Sequence, residues 1–337
     1  MRIAILGLGF MGSTHVKALQ KIPSAKLVAV ASQEEKRLAG DLSDIQGNIG
    51  GPGEKMDFSQ VNKYWDAEEA VRDPAVEAVD ICLPTDQHTP IAIAALRAGK
   101  HVLVEKPMAL DGAAADQMMR EAEKSGRILM VAQVLRFFPS YRAAADLVRS
   151  GKLGQIRSAL FRRRCAAPGW SQWMQDSSKS GGGVFDLLIH DVDIALHMLG
   201  APEAVSATGY EAMPRGIDTI TAQFVYPKIN TVTVTGGWHH PKAYPFSMEF
   251  TVVGDEGTLE FSSDGRPLTL YRANGEQELV ETPEVDGYLA ELRYFLECAE
   301  AGRKPELCPP EESAAAVKWT RRMVESRSKN GEKLGCL

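Results

Sequence analysis

The first 135 residues alternate between short apolar stretches and longer stretches whose apolar residues recur with helical spacing. The apolar stretches are RIAIL, KLVAVAS, EAVDICL, HVLVE and ILMVAQ, at 2–6, 26–32, 77–83, 101–105 and 128–133. Because they are apolar on both faces, they predict strands of a buried parallel sheet. Helices are predicted between them at about 11–21, 34–43, 67–72, 89–98 and 111–125. This alternation predicts a doubly wound α/β domain of the Rossmann type over residues 1–135.

The remaining residues, 136–337, show a different pattern. Strand-like stretches such as QIRSALFRRR, DTITAQFVY and TVTVTGGW follow one another, and TVTVT alternates strictly, which predicts one buried and one open face. Helices are predicted to flank this region at about 184–199, 287–301 and 311–326. The expected second domain is therefore α+β, an open-faced and mainly antiparallel sheet with helices. Its last helix is a candidate to pack back on the N-terminal domain.

Two local features complete the predicted organisation. Thr89 and Pro90 have the composition of a helix start, so the fourth helix is expected to begin there. The segment 47–65 is glycine-rich and aperiodic, and we interpret it as an inserted loop before a short strand near Tyr64. Its role stays open.

Composition and charge narrow the class of protein. The chain has 337 residues and a formal net charge of −6, which gives no electrostatic reason to expect a nucleic acid or an anionic membrane as partner. Its five cysteines lack CxxC spacing, so a reducing cytoplasm is the simplest setting. The N-terminus lacks the pattern of a signal peptide, and no apolar run is long enough to span a membrane. We expect a cytoplasmic protein.

A glycine-rich segment, GLGFMG at 7–12, follows the first predicted strand and opens the first predicted helix. Its GxGxxG spacing permits a tight turn and brings backbone N–H groups close to a pyrophosphate, so it predicts dinucleotide binding. The second strand ends in Ser32 and Gln33 rather than in the acid that binds the ribose of NAD. Since Ser32 and Arg37 suit a 2'-phosphate, NADP is favoured over NAD, although two glutamates beside Arg37 count against a strong phosphate site.

Two further segments, CLPTDQH at 82–88 and VEKP at 104–107, fall at predicted strand ends, the edge at which such sheets bind ligands. Glu105 and Lys106 cost desolvation there unless they are paired or used, so a role beside the nicotinamide is favoured over a structural ion pair. His88 is either a cofactor contact or a brace for the next helix. The predicted cofactor contacts are Gly7, Gly9, Phe10, Met11, Gly12, Ser32, Gln33, Arg37, Leu83, Pro84, Thr85, His88, Glu105, Lys106 and Gln133.

The segment GGGVFDLLIHDVD at 181–193 carries the other candidate chemistry. Asp186 and His190 are four residues apart, so they share one face of a predicted helix. Oxidation of an alcohol by hydride transfer needs a group that takes the hydroxyl proton, and histidine suits neutral pH. Lys106 can stabilise the charge that develops on the substrate oxygen. We therefore predict Lys106, Asp186 and His190 as catalytic residues, in a cleft between the two domains.

Two alternative kinds of site are disfavoured. His190, Asp193 and His197 have the helical spacing of metal ligands, but stripes of this kind more often brace a core, and no metal is predicted. Cys82 lies inside a predicted strand with no evident base beside it, which argues against a covalent nucleophile.

Together these motifs resemble the glucose-fructose oxidoreductase/inositol dehydrogenase (Gfo/Idh/MocA) family of NAD(P)-dependent oxidoreductases. The resemblance extends over essentially the whole chain and rests on GLGFMG, LPTDQH, EKP, RF at 136–137, RSGKLG at 149–154 and GGGxxxDxxxHDxD. It implies that Lys106, Asp186 and His190 form the catalytic group. It also places Glu105 on the nicotinamide side and implies a Lys106-Pro107 peptide that is commonly cis.

The resemblance also implies a substrate class and an assembly. Family substrates are mostly sugars, cyclitols and their derivatives, and the open face of the C-terminal sheet often forms homodimers or homotetramers. The expected activity interconverts a secondary alcohol and its carbonyl, in a direction that the residues do not fix; a non-catalytic dinucleotide-sensing regulator is the alternative. Substrate contacts are predicted at Lys106, Arg136, Trp173, Asp186, His190 and His239, with Arg164, Trp170, His240 and Tyr244 as further candidates.

Overall fold

In the computed structural model, residues 1–47, 53–169 and 171–335 are described. The first part of the chain forms β1 (Arg2–Leu6), α1 (Phe10–Leu19), β2 (Lys26–Ala31), α2 (Glu35–Leu38), β3 (Asn62–Tyr64), α3 (Ala67–Arg72), β4 (Ala78–Ile81), α4 (Thr85–Arg97), β5 (His101–Glu105), α5 (Gly112–Ser125) and β6 (Leu129–Ala132). The rest, beyond a 3-10 turn at Val134–Arg136, forms α6 (Pro139–Arg149), β7 (Ile156–Cys165), α7 (Gln172–Gln175), α8 (Ser177–Ser180), α9 (Gly183–Leu199), β8 (Ala204–Ala212), β9 (Ile217–Val225), β10 (Thr231–Trp238), β11 (Ser247–Gly254), β12 (Gly257–Ser262), β13 (Arg266–Arg272), β14 (Gln277–Leu279), α10 (Gly287–Ala301), α11 (Pro310–Ser328) and β15 (Leu334–Gly335). A second 3-10 turn, Met213–Arg215, lies between β8 and β9. None of the described helices combines the length and the apolar composition that crossing a membrane requires.

The first of two structural units contains residues 1–134 and 285–314. Its six strands form a parallel sheet in the order β3-β2-β1-β4-β5-β6. The order reverses between β1 and β4, and ligands of doubly wound sheets bind outside the strand ends at this reversal. The predicted Rossmann sheet is confirmed, including the short strand at Tyr64. Residues 48–52 of the predicted loop lie outside the described part of the chain.

The helix after β4 begins four residues earlier than the sequence predicts. α4 starts at Thr85 with Pro84 as its N-cap, so Pro90 lies inside the helix and Thr89-Pro90 is not its start. Pro90 lacks the N–H that would bond the carbonyl of Asp86, but both residues are exposed and water can satisfy that carbonyl. Thr85 and His88 are therefore part of the first turn of a helix that begins at the ligand edge of the sheet.

The second unit contains residues 135–284 and 315–337. Its nine strands follow the order β14-β13-β12-β11-β7-β10-β9-β8-β15, and every neighbouring pair is antiparallel except β7 with β10. Helices cover one face of this sheet. There the ring centre of Tyr141 in α6 lies 5.0 Å from that of Phe250, and the ring centre of Trp319 in α11 lies 6.2 Å from that of Phe224. On the other face the hydroxyls of Thr221 and Thr235 bond at 2.7 Å near the surface. The predicted open-faced sheet with helices is confirmed.

Along the chain, the two units meet between residues 134 and 135, one residue from the predicted boundary, but a later segment of the chain also belongs to the first unit. Residues 285–314, which contain all of α10, belong to the first unit. α10 packs on α1, where the rings of Tyr288 and His15 lie 6.3 Å apart, and the thiol of Cys308 donates to the carbonyl of Val131 at 3.2 Å. α11 lies mainly in the second unit, where Trp319 packs on the sheet. The helix that packs on the N-terminal unit is therefore α10, and not the last helix as predicted.

Candidate active site

The glycine loop fits a bound pyrophosphate. Gly7 has φ +98°, and a Cβ there would lie 2.5 Å from the carbonyl oxygen of Cys82. A Cβ at Gly12 would lie 1.9 Å from the carbonyl oxygen of Gly7, whereas one at Gly9 would meet no atom of the described residues within 4 Å. Gly9 is the N-cap of α1, which has no side-chain cap and no acid in its first turn. Close packing thus requires glycine at positions 7 and 12. At Gly9 the lack of a side chain leaves room, among the described residues, for an anion to approach the backbone N–H groups at the start of α1.

The side chain of Arg37, in α2, adjoins this loop. It donates from Nη1 to the carbonyl of Leu8 at 3.1 Å, and its Nε lies 2.8 Å from Oε1 of Glu34. Ser32 accepts the N–H of Glu34 at 3.2 Å, and Lys36 pairs with Asp44 instead. Of these two cations, Arg37 is therefore the one held beside the glycine loop, and Glu34 partly neutralises it.

Phe10 and Met11 occupy the first turn of α1, where both are partly exposed. The ring of Phe10 packs against Gly47, at which a Cβ would lie 1.9 Å from the ring. The start of the inserted loop is thus held beside the glycine loop. Gln33 is exposed after β2.

The loop after β4 is fixed from within by His88. This buried ring has Nδ1 2.8 Å from the carbonyl oxygen of Pro107 and Nε2 2.8 Å from that of Leu83. Burial lowers its pKa, although both carbonyls oppose that change. Because both ring nitrogens face backbone carbonyls, the geometry favours the brace over the cofactor contact: His88 ties the loop after β4 to the loop after β5.

Two buried polar groups at this edge lack a partner among the described residues. Thr85 at the start of α4 is 1% exposed, and its hydroxyl makes no hydrogen bond there. Gln133 directly after β6 is 1% exposed, and neither its amide nitrogen nor its amide oxygen is bonded. Buried polar groups are ordinarily satisfied, so both side chains fit a polar ligand at the carboxyl edge of the sheet. Both were predicted cofactor contacts.

The end of β5 carries one buried acid and one partly exposed base. Glu105 is 5% exposed, and its Oε2 accepts the backbone N–H of Lys106 at 3.0 Å. The Lys106-Pro107 peptide is cis, as the resemblance implied. Lys106 stays partly exposed at the strand end. Burial raises the pKa of the Glu105 carboxyl, whereas His15 and Lys106 oppose that rise.

A cluster of buried polar side chains adjoins Glu105, and the sequence analysis did not single it out. Nδ1 of His15 lies 2.8 Å from Asp80 and 3.6 Å from Sγ of Cys82, and these three side chains are close enough to be considered as metal ligands. The 2.8 Å contact is that of a hydrogen bond. Burial raises the pKa of the Cys82 thiol well above its ordinary value, and metals bind the thiolate. A signal was present in the sequence: Asp80 is a carboxylate inside the otherwise apolar strand AVDI.

In the second unit, α9 is an unbroken helix over Gly183–Leu199, so Asp186 and His190 lie on one face as predicted. Asp186 is buried and His190 is partly exposed. A Cβ at Gly183 would lie 2.4 Å from the ring of Trp238, which explains a glycine at the helix start. Asp218, which sequence analysis missed, accepts the N–H of Val184 at 2.8 Å and holds this end of the helix.

Arg136 is not available to a substrate, and this prediction is corrected. Its side chain is 0% exposed, and Nε and Nη2 donate to the two carboxylate oxygens of Asp193 at 2.8 and 2.7 Å. A buried guanidinium is stable only when paired, and this bidentate pair satisfies it. The same pair engages Asp193, which weakens the metal alternative for His190, Asp193 and His197.

The other predicted substrate contacts form one aromatic group and one separate residue. The rings of His239 and His240 lie 4.0 Å apart, His240 stacks on Tyr244 at 3.9 Å, and the Arg164 guanidinium lies 5.6 Å from the Tyr244 ring. Burial lowers the pKa of His240, and His239 and Arg164 add to this effect. Trp173 lies partly buried in α7, and Trp170 is outside the described residues.

The six-stranded Rossmann sheet, its open glycine loop and the separate open-faced sheet unit define a class: two-domain oxidoreductases that bind a nicotinamide dinucleotide. Comparison with known proteins agrees. Residues 1–133 match a model described as an oxidoreductase family with an NAD-binding Rossmann fold, and residues 141–260 match the Gfo/Idh/MocA C-terminal domain. The chain belongs to the Gfo/Idh/MocA oxidoreductase family, as its motifs indicated.

Several relatives have established names. The chain is 30% identical over 320 residues to myo-inositol 2-dehydrogenase of Thermotoga maritima, covering 90% of each chain. It is 28% identical to the NAD(+)-dependent scyllo-inositol 2-dehydrogenase of Bacillus subtilis, over 90% of this chain and 88% of that one. The structure of levoglucosan dehydrogenase with NADH and levoglucosan has the same fold, with a TM-score of 0.86, 21% identity and coverage of 100% and 99%.

Proposed function

We propose that the protein is an NAD(P)-dependent dehydrogenase that interconverts a secondary alcohol of a cyclitol, sugar or related polyol with its carbonyl form. The inositol 2-dehydrogenases among its relatives support this substrate class. Since hydride transfer to the positively charged oxidised nicotinamide ring and its reverse use the same groups, the proposal covers both directions of the reaction. A ketose or an imine reductase is the narrower variant of the same chemistry.

The bound nicotinamide supplies the acceptor or donor of the hydride. In the proposed mechanism His190 takes the hydroxyl proton of the alcohol, and returns it in the reverse direction. Asp186, one turn earlier on α9, orients the imidazole. The ammonium of Lys106 stabilises the charge that develops on the substrate oxygen. These three roles are separate, so each can be tested alone.

The observation that carries the proposal is the position of Lys106. It follows β5 at the carboxyl edge of the sheet, and β5 neighbours β4, whose loop meets the glycine loop at the reversal of strand order. Glu105 before it is buried, whereas Lys106 keeps part of its side chain exposed. A cation at the ligand edge of the sheet is placed to stabilise the negative charge that develops on a substrate oxygen. The unbonded Thr85 and Gln133 support a cofactor at the same edge.

The test measures turnover and cofactor affinity in the same variants. Lys106→Met and His190→Ala should each lower kcat by at least about a hundredfold and leave the Kd of the cofactor nearly unchanged. Matched controls are Lys124→Met on the exposed side of α5 and His197→Ala in the last turn of α9. Both controls should turn over like the wild type. Wild-type turnover in Lys106→Met or His190→Ala would contradict the assigned roles.

For the cofactor, we propose NADP(H) as the preferred form. Arg37 is held beside the glycine loop by the carbonyl of Leu8, close in sequence to the Ser32 hydroxyl, and β2 ends without an acid of its own. A guanidinium and a hydroxyl suit a 2'-phosphate. The ion pair with Glu34 competes for Arg37, so the preference over NAD(H) should be modest.

The assembly stays a prediction. The open face of the nine-stranded sheet carries hydroxyl and amide pairs, among them Gln223 with Thr233 at 2.8 Å. Self-association through this face into a homodimer or homotetramer is what the resemblance implies. Sedimentation of the purified protein measures it directly.

A further inference from the structure

A buried chain of polar contacts leads from the interior of the first unit to the strand end that carries Lys106. His15 of α1 is 0% exposed, and its Nδ1 lies 2.8 Å from Oδ2 of Asp80 in β4. Its Nε2 lies 3.4 Å from Oε1 of Glu105. The other oxygen of that carboxylate accepts the backbone N–H of Lys106 at 3.0 Å. A series of polar contacts therefore runs from Asp80 through His15 and Glu105 to the backbone N–H of Lys106.

The groups around His15 carry an excess of acids. The titratable and charged groups that face it are Asp80 and Cys82 at β4, Glu105 at β5, and Glu291 and Tyr288 on α10. Burial lowers the pKa of His15, but the negative charges of Asp80, Glu105 and Glu291 outweigh burial and raise it to about 9. At neutral pH the imidazole is therefore a cation, and it offsets the buried negative charge around it.

Glu105 depends on this cation. Burial raises the pKa of its carboxyl, and His15 is the first of the groups that act against the rise, followed by Lys106. Without the imidazolium, a buried carboxylate beside Asp80 would take up a proton at a higher pH. The charge of Glu105 near neutral pH is thus coupled to the protonation of His15.

We infer that His15 is a positioning residue for the cofactor: as an imidazolium held by Asp80, it keeps Glu105 ionised and fixed against the backbone of Lys106. The inference rests on the proposed function, which requires that the nicotinamide ring binds at this edge of the sheet, next to Glu105. The oxidised nicotinamide carries a positive charge and the reduced ring does not. An ionised Glu105 therefore stabilises the oxidised cofactor relative to the reduced one.

The test compares the affinities of the two redox forms across pH. Kd is measured for oxidised and reduced cofactor from pH 6 to 8 in the wild type, His15→Gln and His15→Gln/Glu105→Gln. The ratio of the two constants should be independent of pH in the wild type. In His15→Gln it should change by at least about fivefold, with oxidised cofactor gaining affinity as pH rises and Glu105 ionises. The double variant, which has no carboxyl at 105, should again be independent of pH.

The outcomes separate this role from simple packing. A ratio that stays constant in His15→Gln overturns the inference, and so does the same pH dependence in the double variant, because a packing defect does not follow the charge of Glu105. If the wild type binds neither redox form, the proposed function fails, and this inference falls with it. Binding in the wild type with a constant ratio in His15→Gln overturns the inference alone.

A second measurement does not depend on whether the variants fold. The imidazole shifts of His15 in the cofactor-free wild type, followed by NMR, should stay those of an imidazolium from pH 6 to 8. A neutral His15 at pH 7 overturns the inference.

Discussion

Two glycines of the segment 7–12, one before α1 and one inside it, allow one kind of substitution to separate folding from cofactor binding. Gly9→Ala and Gly12→Ala each add a single methyl group, three residues apart. At Gly12 the new Cβ would lie 1.9 Å from the carbonyl oxygen of Gly7, well below the 3.0 Å that real Cβ contacts keep. At Gly9 no atom from the described part of the chain would lie within 4 Å of the new Cβ, and φ of −81° is one that alanine adopts. Gly12→Ala should therefore damage the fold, and Gly9→Ala should damage the cofactor site.

The magnitudes follow from these contacts. Overpacking of this kind costs about 1–3 kcal/mol, and the rigid backbone oxygen places Gly12→Ala at the upper end. Alanine regains about 1 kcal/mol over glycine inside a helix, so a net loss of about 2 kcal/mol in unfolding free energy is expected. Gly9→Ala should change stability by less than about 1 kcal/mol. It should raise the Kd of the cofactor at least about tenfold, because the methyl group occupies the space that a pyrophosphate needs.

Urea denaturation followed by circular dichroism measures stability, and nicotinamide fluorescence titration measures Kd. Each variant serves as the control for the other, since the chemical change is identical. A Gly9→Ala protein that binds cofactor like the wild type refutes the role of the open space. A Gly12→Ala protein as stable as the wild type refutes the packing argument.

Three further predictions follow from the described contacts. Arg136→Met should lower the unfolding free energy by about 3–5 kcal/mol, because Asp193 is left buried and unpaired. Arg136→Met/Asp193→Leu should regain most of this free energy without a change in the KM of the substrate. A raised KM in a stable double variant would show that Arg136 is a substrate contact after all. Arg37→Ala should raise the KM of NADPH more than that of NADH, and Glu34→Gln should do the opposite by freeing the guanidinium; equal changes for both cofactors would show that Arg37 does not bind the 2'-phosphate. Because the pKa of His15 is raised in the folded protein, its protonated form stabilises the fold. This contribution is complete below the pKa of a histidine in the unfolded chain, about 6.5, and is lost as pH rises through about 9. In Glu105→Gln the negative charge of Asp80 still raises the pKa of His15. Urea denaturation of this variant should therefore show a steeper loss of stability above pH 6.5 than that of His15→Gln/Glu105→Gln, and parallel curves would contradict the assignment.

The parts of the fold that depend on local pattern were predictable from the sequence. Strands apolar on both faces gave the parallel sheet, and the strict alternation of TVTVT gave one buried face in β10. The spacing of Asp186 and His190 gave a shared helical face, because helix periodicity is fixed by local geometry. The cis Lys106-Pro107 peptide came only from the family resemblance.

The parts that depend on distant residues were not predictable in this way. α10 follows the β-rich region in sequence, yet it packs on α1, and no local signal indicates this return. Arg136 was predicted as a substrate contact, because its ion-pair partner Asp193 lies fifty-seven residues further along the chain and the sequence does not reveal the pair. His15 gained its role from Asp80 and Glu105, which the fold alone brings beside it.

Nicotinamide absorbance of the purified wild type with a panel of inositols, sugars and other polyols, run with NADP and with NAD, tests directly whether the protein is a dehydrogenase of this substrate class. We expect reduction of the cofactor with at least one cyclitol or sugar, and reoxidation when the matching ketone is supplied. Tight cofactor binding without turnover on any member, in either direction, would contradict the account and favour a dinucleotide-sensing regulator.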